Sequence, residues 1–108
     1  MAQAQICPRY EAAIALLGKR WTGLILRLLL DGPRRFGELA LALQISERVL
    51  SARLKELEAE KVLARVVHAG PPVRVEYRLT RKGEALGSVV TAIGGWAERW
   101  VKPVRRAR

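Results

Sequence analysis

The chain has 108 residues, half of them hydrophobic, enough for one domain with a modest core and too few for a second. Twenty Lys and Arg against ten Asp and Glu give a formal net charge of +10, a basic surplus that points to a phosphate-rich partner. One cysteine and one histidine exclude an internal disulfide and a Cys- or His-cluster metal site, so neither a metal nor another cofactor is expected.

No run of about 18 apolar residues is present, and the start Met1-Ala-Gln-Ala-Gln lacks the basic and apolar regions of a signal peptide. A cytoplasmic protein with no membrane attachment is expected.

Pro8 suits a first helical turn, Ala12, Ala13, Leu16 and Leu17 make an apolar stripe, and Gly18 suits the end, which predicts a first helix over 8–17. Thr22 reads as the N-cap of a second helix. Its interior, 24–30, is apolar nearly all round until Asp31-Gly32-Pro33 stops it, so it belongs at the centre of the domain. A third, shorter helix spans 36–43, with Phe36, Leu39, Ala40 and Leu43 on one side.

After a Gln44-Ile45 turn, Ser46 supplies the N-cap of a fourth helix, 47 to about 60, striped by Leu50, Leu54 and Leu57. Two short helices joined by a tight turn are the helix-turn-helix signature. The period then changes. Val73, Val75, Tyr77 and Leu79 alternate with Arg74, Glu76 and Arg78 as in a half-buried strand, whose partner is 63–68.

Ala69-Gly70-Pro71-Pro72 between the strands suits the tip of a β-hairpin, a wing. Thr80 then caps a last helix in which Leu86, Val89, Val90, Ile93, Ala97 and Trp100 keep three-and-four spacing, ending near Pro103. The order predicts a mainly α fold with a small β-hairpin, a single winged helix-turn-helix domain. Its core covers about 18–80, with terminal helices at about 8–17 and 81–102.

At about 100° per residue the three leucines of the fourth helix point inward, leaving Arg48, Ser51, Ala52 and Lys55 on the opposite face. A helix fits the major groove of double-stranded DNA. An Arg there can read guanine O6 and N7, a small Ala can meet a thymine methyl, and Lys55 suits a phosphate. Ser46 begins this helix, and Arg34 and Arg35 before the third helix add phosphate contacts that position without specifying.

His68, Arg65 and above all Arg74 lie around the hairpin, where a basic side chain can cross the backbone or enter a minor groove. Against these readings stands a plain solvated face, since Glu47, Glu56, Glu58 and Glu60 share the fourth helix. No Ser, acid or amine stands beside His68 to make a relay, so no enzyme is expected.

Several stretches resemble the HxlR-type transcription regulators, winged helix-turn-helix proteins similar to the MarR group. They are Cys7-Pro8, Gly18-Lys19-Arg20-Trp21-Thr22, Gly32-Pro33-Arg34-Arg35-Phe36-Gly37-Glu38-Leu39, Ile45-Ser46, Leu50, and Arg53-Leu54-Lys55-Glu56-Leu57-Glu58. The strongest is Pro72-Val73-Arg74-Val75-Glu76-Tyr77 with Leu79-Thr80 and Gly83. Each is weak alone; their order over 7–100 makes the resemblance specific.

The resemblance implies a dimeric, sequence-specific DNA-binding regulator in which the fourth helix reads DNA and the first and last helices build the dimer. The stripe of Leu86, Val89, Val90, Ile93, Trp96 and Trp100 agrees, because so small a domain leaves a long apolar helix uncovered. The alternative is that these tryptophans finish the core of the monomer. The chain departs from the family pattern at Lys61, where a Gly is usual and a left-handed cap would be harder for Lys, and at Arg20, which lengthens the Lys-Trp pairing.

Some HxlR-type proteins use an N-terminal cysteine to sense oxidants or electrophiles, and Cys7 matches that position. Helix N-terminal amides and nearby Arg9 favour a thiolate there, while a small apolar residue in a dimer interface is the plain alternative. A small-molecule effector bound between the terminal helices and the core, and a winged-helix module that binds a protein or binds nucleic acid nonspecifically, are the competing readings.

Overall fold

The computed structural model describes residues 5–103. Its elements run α1 (Pro8–Leu17), α2 (Thr22–Leu29), β1 (Arg34–Arg35), α3 (Phe36–Leu43), α4 (Glu47–Ala59), β2 (Leu63–His68), β3 (Arg74–Leu79), α5 (Arg81–Glu84) and α6 (Gly87–Trp100). Helices α2, α3 and α4 enclose the core. It is built from Ile25, Leu26 and Leu29, from Leu39 and Leu43, and from Leu50, Leu54 and Leu57, closed by Ile45, Val62, Leu63 and Val90.

The predicted stops and starts hold at most ends for the expected local reasons. Pro8 opens α1, Gly18 closes it, the Ser46 hydroxyl accepts the Val49 N–H at 3.2 Å, and the Thr80 hydroxyl accepts that of Gly83 at 3.1 Å. One cap differs. Thr22 is the first residue of α2 and is buried, while Trp21 takes the cap position with φ 81°.

The wing is larger than a hairpin. β2 and β3 pair antiparallel from Leu63 with Leu79 to His68 with Arg74, and β1 adds a short third strand, with Arg34 opposite Tyr77 and Arg35 opposite Glu76. Arg34 and Arg35, which the sequence placed only as preceding the third helix, therefore lie on a sheet edge. Val73 falls outside β3 and is exposed, whereas Val75, Tyr77 and Leu79 are half-buried.

The last helix is not continuous. The Leu86 N–H turns back to the Gly83 carbonyl at 3.0 Å, and α6 restarts from Leu86 with Val90 N–H donating to its carbonyl at 2.9 Å. Before the break the chain passes flush against Val62, and only a glycine fits at 83, since a Cβ there would lie 2.0 Å from the Val62 carbonyl oxygen. α2 is also less central than expected, since Leu24 is exposed.

Two residues predicted on the outer stripe face inward. Val90 belongs to the core and Leu86 packs against it, which removes both from a surface for a second copy. Val89, Ile93, Trp96 and Trp100 remain exposed on α6. α1 buries none of its residues, with Tyr10 and Ile14 exposed and only Leu16 and Leu17 half-covered.

Candidate nucleic-acid interface

Leu50, Leu54 and Leu57 anchor α4 in the core, which turns its opposite face outward. Arg48, Ala52 and Lys55 are exposed on that face and Ser51 is half-buried at its margin. The Ser46 hydroxyl is engaged as a cap, which fixes the start of the helix and leaves that side chain a structural task beside any phosphate contact.

The turn ahead of α4 is compact: Gln44 adopts φ 53° and Ile45 N–H donates to the Ala40 carbonyl at 3.3 Å. On the other side of α3, the Arg35 N–H donates to Glu38 Oε1 at 2.8 Å, so its backbone caps α3 while its side chain is exposed. Arg34 is half-buried in β1. Arg74 is exposed at the start of β3, directly opposite His68.

His68 is engaged: its Nε2 lies 2.7 Å from Glu76 Oε1, a diagonal pair across β2 and β3. A basic role for His68 at the wing therefore competes with that carboxylate. Arg65 is exposed on β2 opposite Tyr77.

The sequence reading missed one cluster. Glu56 of α4 forms ion pairs with Lys19, in the α1–α2 connection, and with Arg53 one turn back. Arg53 Nε also donates to the Arg20 carbonyl at 3.2 Å. The hydrogen bond from Lys19, foremost, outweighs the opposing effect of desolvation and, with that from Arg53, holds the Glu56 carboxyl below the usual carboxylate range. The i, i+3 spacing of Arg53 and Glu56 was a readable signal; the partners 33 and 37 residues away were not.

Cys7 is the N-cap residue of α1 and is exposed; its carbonyl accepts the Glu11 N–H at 3.0 Å. Between α1 and the body lies a cleft of about 880 Å³, with Ala12, Ala13 and Leu16 on one wall, Val62 and Leu86 on another, and Arg9, Lys19 and Lys82 at its margins. Among the described residues no cluster of three or more His, Cys, Asp or Glu is placed to hold a metal ion, and no helix is long and apolar enough to cross a membrane.

This arrangement has close counterparts. The HxlR-like helix-turn-helix family profile matches residues 16–105. The uncharacterized HTH-type transcriptional regulator YvaP of Bacillus subtilis is 50% identical over 104 residues, covering 95% of this chain and 96% of its own. The reduced form of the transcriptional regulator YodB from B. subtilis superposes with a TM-score of 0.81 at 44% identity, covering 94% of this chain and all of that one.

YodB has also been solved diamide-treated and quinone-bound, each with a TM-score of 0.76. The redox regulator HypR in its oxidized form superposes with a TM-score of 0.82 at 33% identity, covering 91% of this chain and all of that one. This chain belongs to the HxlR-like helix-turn-helix family and is a transcriptional regulator of that type.

Proposed function

We propose that the chain is a sequence-specific double-stranded DNA-binding regulator that acts as a homodimer on an inverted-repeat operator. The observation that carries this reading is the face of α4. Arg48, Ala52 and Lys55 are exposed opposite three fully buried leucines, beside a wing bearing exposed Arg74, in a chain of net charge +10. Arg48 and Ala52 read base edges, with Ser51 at the margin; Lys55, Arg35 and Arg34 meet phosphates, Ser46 sets the helix start, and Arg74 follows the backbone from the wing.

Dimerisation is supported by shape. The radius of gyration is 16.2 Å, against about 13 Å for a compact chain of this size, and α1 buries none of its residues. Val89, Ile93, Trp96 and Trp100 on α6, with Tyr10 and Ile14 on α1, then meet their mates across a two-fold axis. Half-site centres one helical turn apart, about 34 to 36 Å, follow from that symmetry.

The signal is an oxidant or an electrophile acting at Cys7. Its exposure and its place at the start of α1 support this reading, as do the diamide-treated and quinone-bound forms in which the similar YodB has been solved. The thiolate loses electrons to the oxidant as it forms a disulfide with a second thiol, or adds to an electrophilic carbon. A noncovalent effector in the 880 Å³ cleft is the second reading, favoured by that cleft's apolar walls between Ala12, Ala13, Leu16, Val62 and Leu86.

The test is a mobility shift on DNA upstream of the protein's own gene and its neighbours, with unrelated duplex as competitor. A competitor-resistant shift over an inverted repeat establishes the reading. Loss of complex with rising salt and no preference over unrelated duplex replaces it with a module that binds a protein partner or binds nucleic acid nonspecifically. Replacing Cys7 with Ser separates the two signals, since a noncovalent effector still releases DNA from that variant.

A further inference from the structure

The contact between the α1–α2 connection and α4 is placed to set how α4 is rotated in its socket. Taking Arg48 as the reference, Glu56 and Arg53 lie roughly 80° and 140° round the helix axis, between the groove face and the leucines at roughly 180° to 240°. A tie on that flank opposes rolling of α4, and rolling re-aims Arg48, Ala52 and Lys55 together.

The tie closes on itself. Each oxygen of Glu56 takes one cation, Lys19 at Oε2 and Arg53 at Oε1, and Arg53 continues to the backbone carbonyl of Arg20. The far side is a shaped piece of backbone: a Cβ on Gly18 would lie 2.8 Å from the Ile14 carbonyl, Trp21 holds φ 81° with its ring against the core, and the Arg20 guanidinium sits 4.8 Å over that ring. The connection cannot shift at Lys19 without shifting the end of α1.

α1 itself is weakly held, with none of its residues buried and an open cleft beneath it whose wall includes Lys19 and Glu56. We propose that Glu56 is a positioning residue for DNA recognition: through Lys19 and Arg53 it locks the rotation of α4 to the α1 connection, so displacement of α1 lowers sequence preference. This inference rests on the DNA-binding reading of α4.

The test compares Glu56→Gln, Lys19→Gln and the double variant with the wild type, on a duplex selected by the wild-type protein from a random pool and on an unrelated duplex. Pairs as exposed as these stabilise little, so all variants should fold and melt within about 5 °C of the wild type. Charge alone moves the singles oppositely: losing Glu56 strengthens binding to any duplex, losing Lys19 weakens it.

Positioning predicts instead that both singles lose about two- to fivefold in the ratio of selected to unrelated affinity, and that the double variant loses no more than the worse single. Parallel changes on the two duplexes, with the ratio kept, overturn the inference. Failure of the wild type to enrich any duplex overturns the DNA-binding reading before the variants are compared.

Discussion

The hydroxyl of Thr80 donates to the carbonyl oxygen of Lys61 at 2.6 Å, joining the start of α5 to the turn just past the end of α4. The Thr80 hydroxyl oxygen also accepts the Gly83 N–H, and the Thr80 N–H donates to the Val62 carbonyl at 3.1 Å. Thr80→Ala removes a helix cap and a partner of a carbonyl, and should cost about 1–2 kcal/mol in urea denaturation, while Thr80→Ser should stay within about 0.5 kcal/mol. Equal losses in the two variants would assign the effect to the lost methyl group and not to the hydroxyl.

Lys61 holds φ 61°, the left-handed conformation that the sequence reading expected Lys to avoid. Its N–H donates to Glu58 and that of Val62 to Leu57, both at 2.9 Å, closing the end of α4 as a glycine would. The family turn is therefore kept at the expense of strain. Lys61→Gly should raise stability by about 0.5–1 kcal/mol, the relief at positive φ exceeding the added freedom of the unfolded chain. A loss of stability on that change would mean that the Lys side chain contributes more than its backbone costs.

What could be read from the sequence was local. The stripe of Leu50, Leu54 and Leu57 fixes the exposed face of α4 because all three lie within eight residues of one helix, and the Ser46 and Thr80 caps act over three. Two arginines carry no period, so β1 shows only when Arg34 finds Tyr77 43 positions on. Gly83 meets Val62 across 21 positions, and Val90 turns inward against residues far off in the chain. Lys19 and Glu56 pair for the same nonlocal reason.

The depressed carboxyl of Glu56 makes this pairing pH-dependent. Its folded value lies below the unfolded one, about 4.3 for a free Glu, so its contribution is complete above that and is lost as pH falls through the folded value. The small melting advantage of the wild type over Glu56→Gln should be constant from pH 7 to 5 and vanish as pH falls further. An advantage that persists well below the free-Glu value would point to shape, not charge.

Arg48 and Lys55 share the groove face but differ in expected role. Arg48→Ala should cost about 1–3 kcal/mol on the operator and relax preference at one position in each half-site. Lys55→Ala should weaken all duplexes alike and reduce the salt slope by about 1. Salt titrations of both variants on operator and unrelated DNA check the division; a uniform loss for Arg48→Ala would make it a phosphate contact.

Ile93 and Val90 lie one turn apart on α6 and face opposite environments, Ile93 58% exposed and Val90 8%. A charge at Ile93 leaves the monomer core untouched, but in a dimer it would be buried twice without a partner. Ile93→Glu should therefore keep the helical signal and give a monomer by sedimentation, with the dimer weakened by at least about 2–3 kcal/mol and operator binding lost along with the second half-site contact. Val90→Glu should unfold the chain instead. If Ile93→Glu remains dimeric, the two-fold contact lies elsewhere and the stripe from Val89 to Trp100 serves another partner.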